Sequence, residues 1–367
     1  MTNDSLNILE VRNIKIKRAG ALLVDIPFLQ IERGELLSLI GPNGAGKTTL
    51  LLALAGLMKP TTGEISFRGQ KIGSDYSIFE YRRNLAMVFQ EPLLFNTTVL
   101  KNVASGLTIR GMEKKQIRQI VKESLERFGI GHLGERSART LSGGEAQRTS
   151  LARAFAIHPE ILFLDEPFAA LDPPTREALI EDLQAVLQET HTTTIFATHD
   201  RAEALRLSDR IGVMNDGSIL QIGAPEEVMN HPMNEFVANF VGVETILRGK
   251  VIRRDEGSFV TLVSDHEIEA VGDVKLGESV ALCIRPENVT LSTASRSETT
   301  SARNVFHGRI TKITPLGFFQ RIQLDCGFLL VAYVTRHSVD ELSLGEGKDV
   351  NASFKATAIH VVRKREK

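Results

Sequence analysis

Residues 36–55 restrict the fold more than any other stretch. Leu36-Leu37-Ser38-Leu39-Ile40 is a short unbroken apolar run, the pattern of a strand buried on both faces. It leads directly into Gly41-Pro42-Asn43-Gly44-Ala45-Gly46-Lys47-Thr48-Thr49, and a helical apolar stretch follows. The loop fits G-x-x-x-x-G-K-[ST], with Gly41, Gly46, Lys47 and Thr48 in the fixed places. Its glycines let the backbone N–H groups of Asn43, Gly44, Ala45, Gly46, Lys47, Thr48 and Thr49 turn inward around phosphate oxygens. The following helix adds its positive N-terminal end. Lys47 suits the β- and γ-phosphates, and the Thr48 hydroxyl suits Mg²⁺. An ordinary glycine-rich turn is the plain alternative, but strand, loop and helix in this order favour nucleotide binding.

Composition removes several classes. The chain has 367 residues, enough for two or three domains, with 42% hydrophobic and 24% charged residues and a net charge of -1. That balance fits a soluble globular protein and gives no global basic surface for nucleic acid. Cys283 and Cys326 lack metal-ligand spacing and fit a reducing compartment as small buried residues. The first residues lack the basic-then-apolar layout of a signal peptide, and no apolar run reaches membrane-spanning length. Work at a membrane would go through a partner.

Residues 6–35 read as β segments at 8–11, 14–16 and 28–31. Further strands are expected at 63–67, 85–89, 161–164 and 194–197. Residues 99–139 turn helical, with Ile117, Ile120, Val121, Leu125 and Phe128 as one apolar stripe. Helices are expected at 145–156, 175–190 and 202–207. The alternation predicts a largely parallel sheet covered by helices, with an antiparallel piece attached. Near Val243 the pattern changes to short β segments with Gly and Asp turns. A polar linker over 292–301 divides this tail into two small barrel-like pieces, 243–292 and 301–367.

Three further features carry chemistry. The strand at 161–164 ends in Asp165, placed to hold Mg²⁺, and Glu166, placed to polarise an attacking water. His199 follows the strand at 194–197 and emerges at the same sheet edge, within reach of a γ-phosphate. A histidine there is otherwise structural. Leu141-Ser142-Gly143-Gly144-Glu145-Ala146-Gln147-Arg148 opens a helix with Ser142, Gly143 and Gly144, a second anion-binding helix start. One chain thus has two phosphate-binding ends, which two copies facing each other would share.

Over residues 6–241 these motifs, in this order, resemble the ATP-binding subunits of ABC transporters. The resemblance identifies 41–49 as the Walker A loop, Gln90 in Val88-Phe89-Gln90-Glu91-Pro92 as the Q-loop, and 141–148 as the signature. Residues 161–166 match Walker B, Ala170-Leu171-Asp172 the D-loop, and His199 the switch histidine. It implies an α/β ATPase domain over 1–242, with a RecA-like core, an antiparallel β subdomain and a helical subdomain at about 92–139. It also implies a homodimer sandwiching two MgATP, with the signature and Asp172 of one copy facing the Walker A loop of the other. In that scheme Glu166 is the catalytic base, Gln90 couples Mg²⁺ and water to a membrane permease, and Thr48 and Asp165 hold the metal.

The tail has two resemblances of its own. Residues 282–289, with Arg285-Pro286-Glu287, resemble the C-terminal barrels of importer ATPases. Residues 301–310, 334–342 and 354–357 resemble the Mop-type domain that holds tetrahedral oxyanions. This implies an all-β, OB-like regulatory domain over 243–367, with Ser301, Arg303, Asn304, Ser338 and Lys355 as oxyanion ligands. The whole then reads as the ATPase of a molybdate or tungstate importer on the cytoplasmic face of the membrane. An extracytoplasmic binding protein would supply the anion, and binding at the tail would inhibit transport. Import of a sugar, sulfate, phosphate, polyamine or ferric ion, with a purely structural tail, is the alternative.

One departure yields a prediction. The family stacks adenine on an aromatic residue ahead of Walker A, whereas this chain has Lys17-Arg18-Ala19-Gly20 there. Either the Arg18 guanidinium stacks on the base, or the base is held loosely. ATP and GTP should therefore be hydrolysed with similar constants. A strong ATP preference in parallel steady-state assays would contradict this.

Overall fold

The computed structural model describes residues 7–293 and 301–363. Leu6, where the first β stretch was expected to begin, and most of the 292–301 linker lie outside the described residues. The chain packs as two compact units that divide between Pro225 and Glu226. The division precedes the change of sequence character near Val243.

The first unit contains β1 (Asn7–Arg18), β2 (Ala21–Glu32), β3 (Leu36–Ile40), α1 (Lys47–Leu54), β4 (Thr62–Phe67) and β5 (Gln70–Lys71). Then come α2 (Ile78–Arg83), β6 (Leu85–Val88), α3 (Val99–Ile109), α4 (Lys114–Arg127) and α5 (Gly143–Ala156). It ends with β7 (Ile161–Asp165), α6 (Pro173–Thr190), β8 (Thr193–Thr198), α7 (Arg201–Leu207), β9 (Arg210–Asn215) and β10 (Ser218–Gly223). Six strands form one sheet in the order β10-β9-β3-β8-β7-β6, parallel except for β10. Four more form an antiparallel sheet, β2-β1-β4-β5. All residues of β3, β7 and β8 are buried, as a parallel sheet covered on both faces requires.

Side chains alternate across this sheet and divide the core in two. Leu37, Leu39, Ile161, Phe163 and Ile195 join α1 and the antiparallel sheet in one cluster. Leu162, Leu164, Phe196 and Val88 meet α3 to α6 in the other. On α4 the expected stripe is in place. Val121 and Leu125 are buried, Ile117 and Ile120 half-buried, and Lys114, Lys115 and Arg118 exposed. The sequence reading missed β9, β10 and α2. No helix of the described residues is long and apolar enough to cross a membrane.

The second unit contains α8 (Pro225–Asn230), which starts at the boundary, α9 (Glu235–Phe240), β11 (Thr245–Arg254), β12 (Ser258–Val263) and β13 (His266–Val271). It continues with β14 (Ser279–Ile284), β15 (Thr290–Ser292), β16 (Asn304–Leu316), β17 (Phe319–Asp325), β18 (Leu329–Thr335), α10 (Arg336–Glu341), β19 (Asp349–Phe354) and β20 (Ile359–Arg363). Two antiparallel five-stranded sheets result, β13-β12-β11-β14-β20 and β15-β19-β16-β17-β18. The pieces 243–292 and 301–367 interleave instead of folding apart. The last strand, β20, pairs with β14, and β15 pairs with β19. Leu247, Phe259 and Leu282 share a core with Ile310, Ile322 and Phe354.

Asn304 joins the two sheets. Its amide accepts from Glu269 N (2.9 Å) and donates to Glu269 O (2.9 Å), and the residue is buried. Truncation would leave both backbone groups unsatisfied in a site closed to water. We predict that Asn304→Ala lowers the stability of this unit by about 1–3 kcal/mol. Chemical denaturation checks this, and an unchanged midpoint would contradict it.

Candidate functional site

The C-terminal edge of the parallel sheet gathers the candidates, because β3, β8, β7 and β6 end side by side. Past β3 the chain turns through Gly41 and Gly46. A Cβ on Gly41 would sit 2.3 Å from Met214 O, so β9 leaves no room for one. Gly46 has φ +99°, a left-handed conformation favouring glycine. A turn missed in the sequence supports the loop from behind. Gly217 N donates to Ala45 O (3.0 Å) from the β9–β10 hairpin, whose Asp216 and Gly217 both have positive φ. An Asp-Gly pair between two alternating runs is the signal that would have located it.

Lys47, only 5% exposed, folds back over the loop and donates to Gly41 O (2.8 Å) and Pro42 O (3.2 Å). Its Nζ lies 3.6 Å from Glu166 Oε1. Burial pushes the ammonium below its ordinary range, and the Glu166 charge opposes that shift. Thr48 Oγ1 donates to Asp165 Oδ1 (2.9 Å). Burial raises the Asp165 carboxyl above its usual range, while the Thr48 hydroxyl pulls it down. Glu166 has φ +46°, rare for a side chain with a Cβ, and its N–H is fixed to Ala197 O (2.9 Å). This backbone turns the carboxylate toward His199, whose Nδ1 lies 2.9 Å from Glu166 Oε2.

Lys47, Thr48, Asp165, Glu166 and His199 therefore form one contiguous cluster. Gln90 is exposed just past β6, next to the strand that ends in Asp165. The arrangement suits a magnesium nucleotide. Space is open around Gly44, where an added Cβ would meet nothing within 4 Å. The Thr48 hydroxyl and Asp165 carboxylate are the hard oxygen donors that Mg²⁺ takes. Lys47 bonds carbonyls of its own loop, donors that phosphate oxygens can claim.

Ser142, Gly143, Gly144 and Asp172 are elsewhere. Ser142 caps α5 in a reciprocal pair with Glu145, its Oγ accepting from Glu145 N (3.3 Å) and its N donating to Glu145 Oε2 (2.7 Å). Asp172 caps α6 through Thr175 N (3.1 Å). These residues line a separate cleft of about 560 Å³ with no residue of the phosphate loop in its wall. A Cβ on Gly144 would lie 2.5 Å from Thr175 Cγ2, so glycine also allows the two helix starts to meet.

In the second unit, Asn304 is committed to Glu269, so the expectation that it is an open oxyanion donor is corrected. Ser301, Arg303 and Lys355 are exposed. Asn304 pairs with Phe354 across β16 and β19, which puts Arg303 and Lys355 at the same end. Ser338 belongs to the other end. Phe319 pairs with both Leu316 and Thr335, and the Thr335 hydroxyl accepts from Ser338 N (3.1 Å). The 13 residues of β16 separate the two ends by on the order of 40 Å of strand.

The fold and the cluster around Lys47 define a P-loop ATPase. Comparison gives the family. Residues 25–169 match the family model described as ABC transporter, and residues 300–361 match the TOBE domain. The chain is 39% identical to a molybdate/tungstate import ATP-binding protein of Pyrococcus horikoshii, over 96% of this chain and 99% of that one. It is 38% identical to a sulfate/thiosulfate import ATP-binding protein of Thermosynechococcus vestitus, over 86% and 87%. It is 35% identical to a spermidine/putrescine import ATP-binding protein of Spiroplasma citri, over 98% of each. The solved cbiO1 chain from Clostridium perfringens, part of the cbiONQ ABC transporter complex, is 32% identical with a TM-score of 0.57, covering 65% of this chain and 96% of that one. The chain belongs to the ABC transporter family and is one of its ATP-binding ATPases.

The raised Asp165 carboxyl makes a prediction. Its proton is held more tightly in the folded chain, so stability falls as pH rises through the window above the unfolded value, and the cost persists at neutral pH. Asp165→Asn removes that cost while an amide oxygen can still accept from Thr48. At pH 7.5 the nucleotide-free variant should melt a few degrees higher than the parent, and its Mg²⁺-dependent ATPase should fall by about 100-fold or more. A variant that melts lower, or one that remains active, would contradict this.

Proposed function

We propose that two copies of this chain bind two ATP molecules between them and drive a membrane permease that imports molybdate or tungstate. One observation carries the first part: the phosphate loop and the Ser142–Asp172 cleft each offer half of a nucleotide site, in different places on one chain. A second copy turned head to tail would bring each cleft onto the other's loop, the isologous closure of a two-fold dimer.

The chemistry follows from the cluster. Lys47 leaves its own carbonyls for the β- and γ-phosphate oxygens, and the N–H groups of 43–49 enclose them. Mg²⁺ held by Thr48, Asp165 and Gln90 would supply positive charge at the phosphates. Glu166 accepts the proton of the attacking water, oriented by its left-handed backbone. His199 fixes the Glu166 carboxylate and touches the departing phosphate. Ser142 and the N–H groups of Gly143 and Gly144, from the other copy, complete the anion site. Beside Gln90 the surface is apolar, with Leu93 and Phe95 more than half exposed. That surface and the helical segment 92–139 are the proposed seat of the permease, which would hold the chain peripherally on the cytoplasmic membrane face.

The cargo assignment rests on the Mop-like tail and on the similarity to the molybdate/tungstate import ATP-binding protein of Pyrococcus horikoshii. In this reading, oxyanion delivered by an extracytoplasmic binding protein also binds paired tails when it accumulates and slows transport. The sulfate/thiosulfate and spermidine/putrescine relatives favour a second reading, another cargo with a structural tail.

Reconstitution with the permease and binding protein separates these. Glu166→Gln should bind MgATP normally and hydrolyse it about 100- to 10,000-fold more slowly. Molybdate or tungstate, but not sulfate or spermidine, should stimulate the wild-type complex when loaded on the binding protein. In excess on the cytoplasmic side either anion should inhibit wild type and spare Lys355→Ala. Stimulation by sulfate or spermidine alone would move the assignment to the second reading.

A further inference from the structure

Arg176 lies one turn into α6, between the two halves of the site, and the catalytic scheme above gives it no task. Its Nη2 donates to Leu171 O (3.4 Å), in the loop that ends at Asp172 and lines the signature cleft. Its Nη1 lies 3.8 Å from Asp200 Oδ2, the residue after His199, and its charge also acts on the buried Glu203 carboxyl. Its Nε is buried with no partner among the described residues. The guanidinium thus joins two loops with one long bond and one long ion pair, and it retains an unused donor.

The His199 side is rigidly built. Asp200 Oδ1 accepts from Ala202 N (2.8 Å) and Glu203 N (3.4 Å). Asp200 N donates to Thr198 Oγ1 (3.0 Å), whose hydroxyl donates to Glu203 Oε2 (2.5 Å). Both residues flanking His199 are therefore fixed, and His199 in turn contacts Glu166. A pull on Asp200 carries to His199 with little slack. The Arg206 pairs with Glu177 and Glu181 also link α6 to α7, but those carboxylates are more exposed than Asp200 and their pairs are more strongly screened.

We infer that Arg176 is a positioning residue that links the Leu171–Asp172 loop to the His199 loop. A second copy docked on the cleft sets the His199–Glu166 pair of this one through it. The inference rests on the two-copy reading above. A buried donor without a partner costs free energy, so an arrangement that gave Nε an acceptor would be favoured over this one. The fork geometry matters, since lysine can hold Asp200 but not both loops at once.

The test uses the full chain. Arg176→Ala should lower kcat about 10-fold or more, leave KM for MgATP within about twofold, and bring the Hill coefficient for ATP to 1. Arg176→Lys should recover part of kcat and none of the cooperativity. A parallel arm measures ATP-induced dimerisation of Glu166→Gln and of Glu166→Gln/Arg176→Ala by light scattering. If both dimerise and Arg176→Ala shows wild-type kcat and Hill coefficient, the inference fails and the two-copy reading stands. If Glu166→Gln stays monomeric in ATP, the two-copy reading fails and takes the inference with it. A loss of kcat matched by a lowered melting temperature, with Arg176→Lys equally affected, would make Arg176 structural and overturn the inference.

Discussion

Lys47 places an ammonium where only 5% of the residue meets solvent, and the rest of the first unit is arranged around that fact. A buried cation needs partners, and in this chain they are two carbonyls of its own loop and the Glu166 carboxylate. The partners come from separate sequence regions that meet only because β3, β8 and β7 are parallel neighbours. β3 delivers the loop, β7 delivers Asp165 and Glu166, and β8 delivers His199. The β9–β10 turn supports the loop through Gly217 and Ala45. Phosphate is a better acceptor for an ammonium than a backbone carbonyl, and the fold holds the Lys47 ammonium already desolvated for such an exchange.

In the proposed two-copy arrangement the same geometry makes one chain half of a machine. The Ser142 helix start and the Asp172 cap meet at the tight Gly144–Thr175 contact and form a cleft that presents donors outward. Nothing on the chain's own phosphate loop reaches them. In that proposed arrangement such halves complete each other by symmetry, and Arg176, at the start of α6, touches both the cleft loop and the His199 loop.

Much of this was legible in the sequence, for identifiable reasons. The loop at 41–49 could be read because its glycines answer local needs: Gly46 a positive φ and Gly41 a close approach to Met214. β3, β7 and β8 could be read because strands buried on both faces are continuous apolar runs. β9 and β10 were missed although Asn215-Asp216-Gly217 marks a hairpin, since the reading followed helix–strand alternation past its end. The interleaving of β15 and β20 depends on pairings across about 70 residues, which no local pattern encodes. Asn304 is ambiguous in sequence, because its residue type suits an anion site and a backbone link equally well. Only the Glu269 backbone opposite shows its side chain to be occupied. Arg176 carries no such signal, because its partner Asp200 is brought to it by folding and not by spacing.

The most direct test of the shared site mixes two inactive chains. Lys47→Ala removes the phosphate-loop half. Gly143→Asp removes the cleft half by placing a carboxylate at the α5 start, where an added Cβ meets nothing within 4 Å and the fold is undisturbed. Each chain alone should be inactive. In a mixed dimer, the intact loop of one faces the intact cleft of the other. The account predicts that ATPase activity reappears on mixing. A mixture as inactive as its parts, with mixed dimers shown to form, would mean that each chain completes its own site, contrary to the two-copy arrangement.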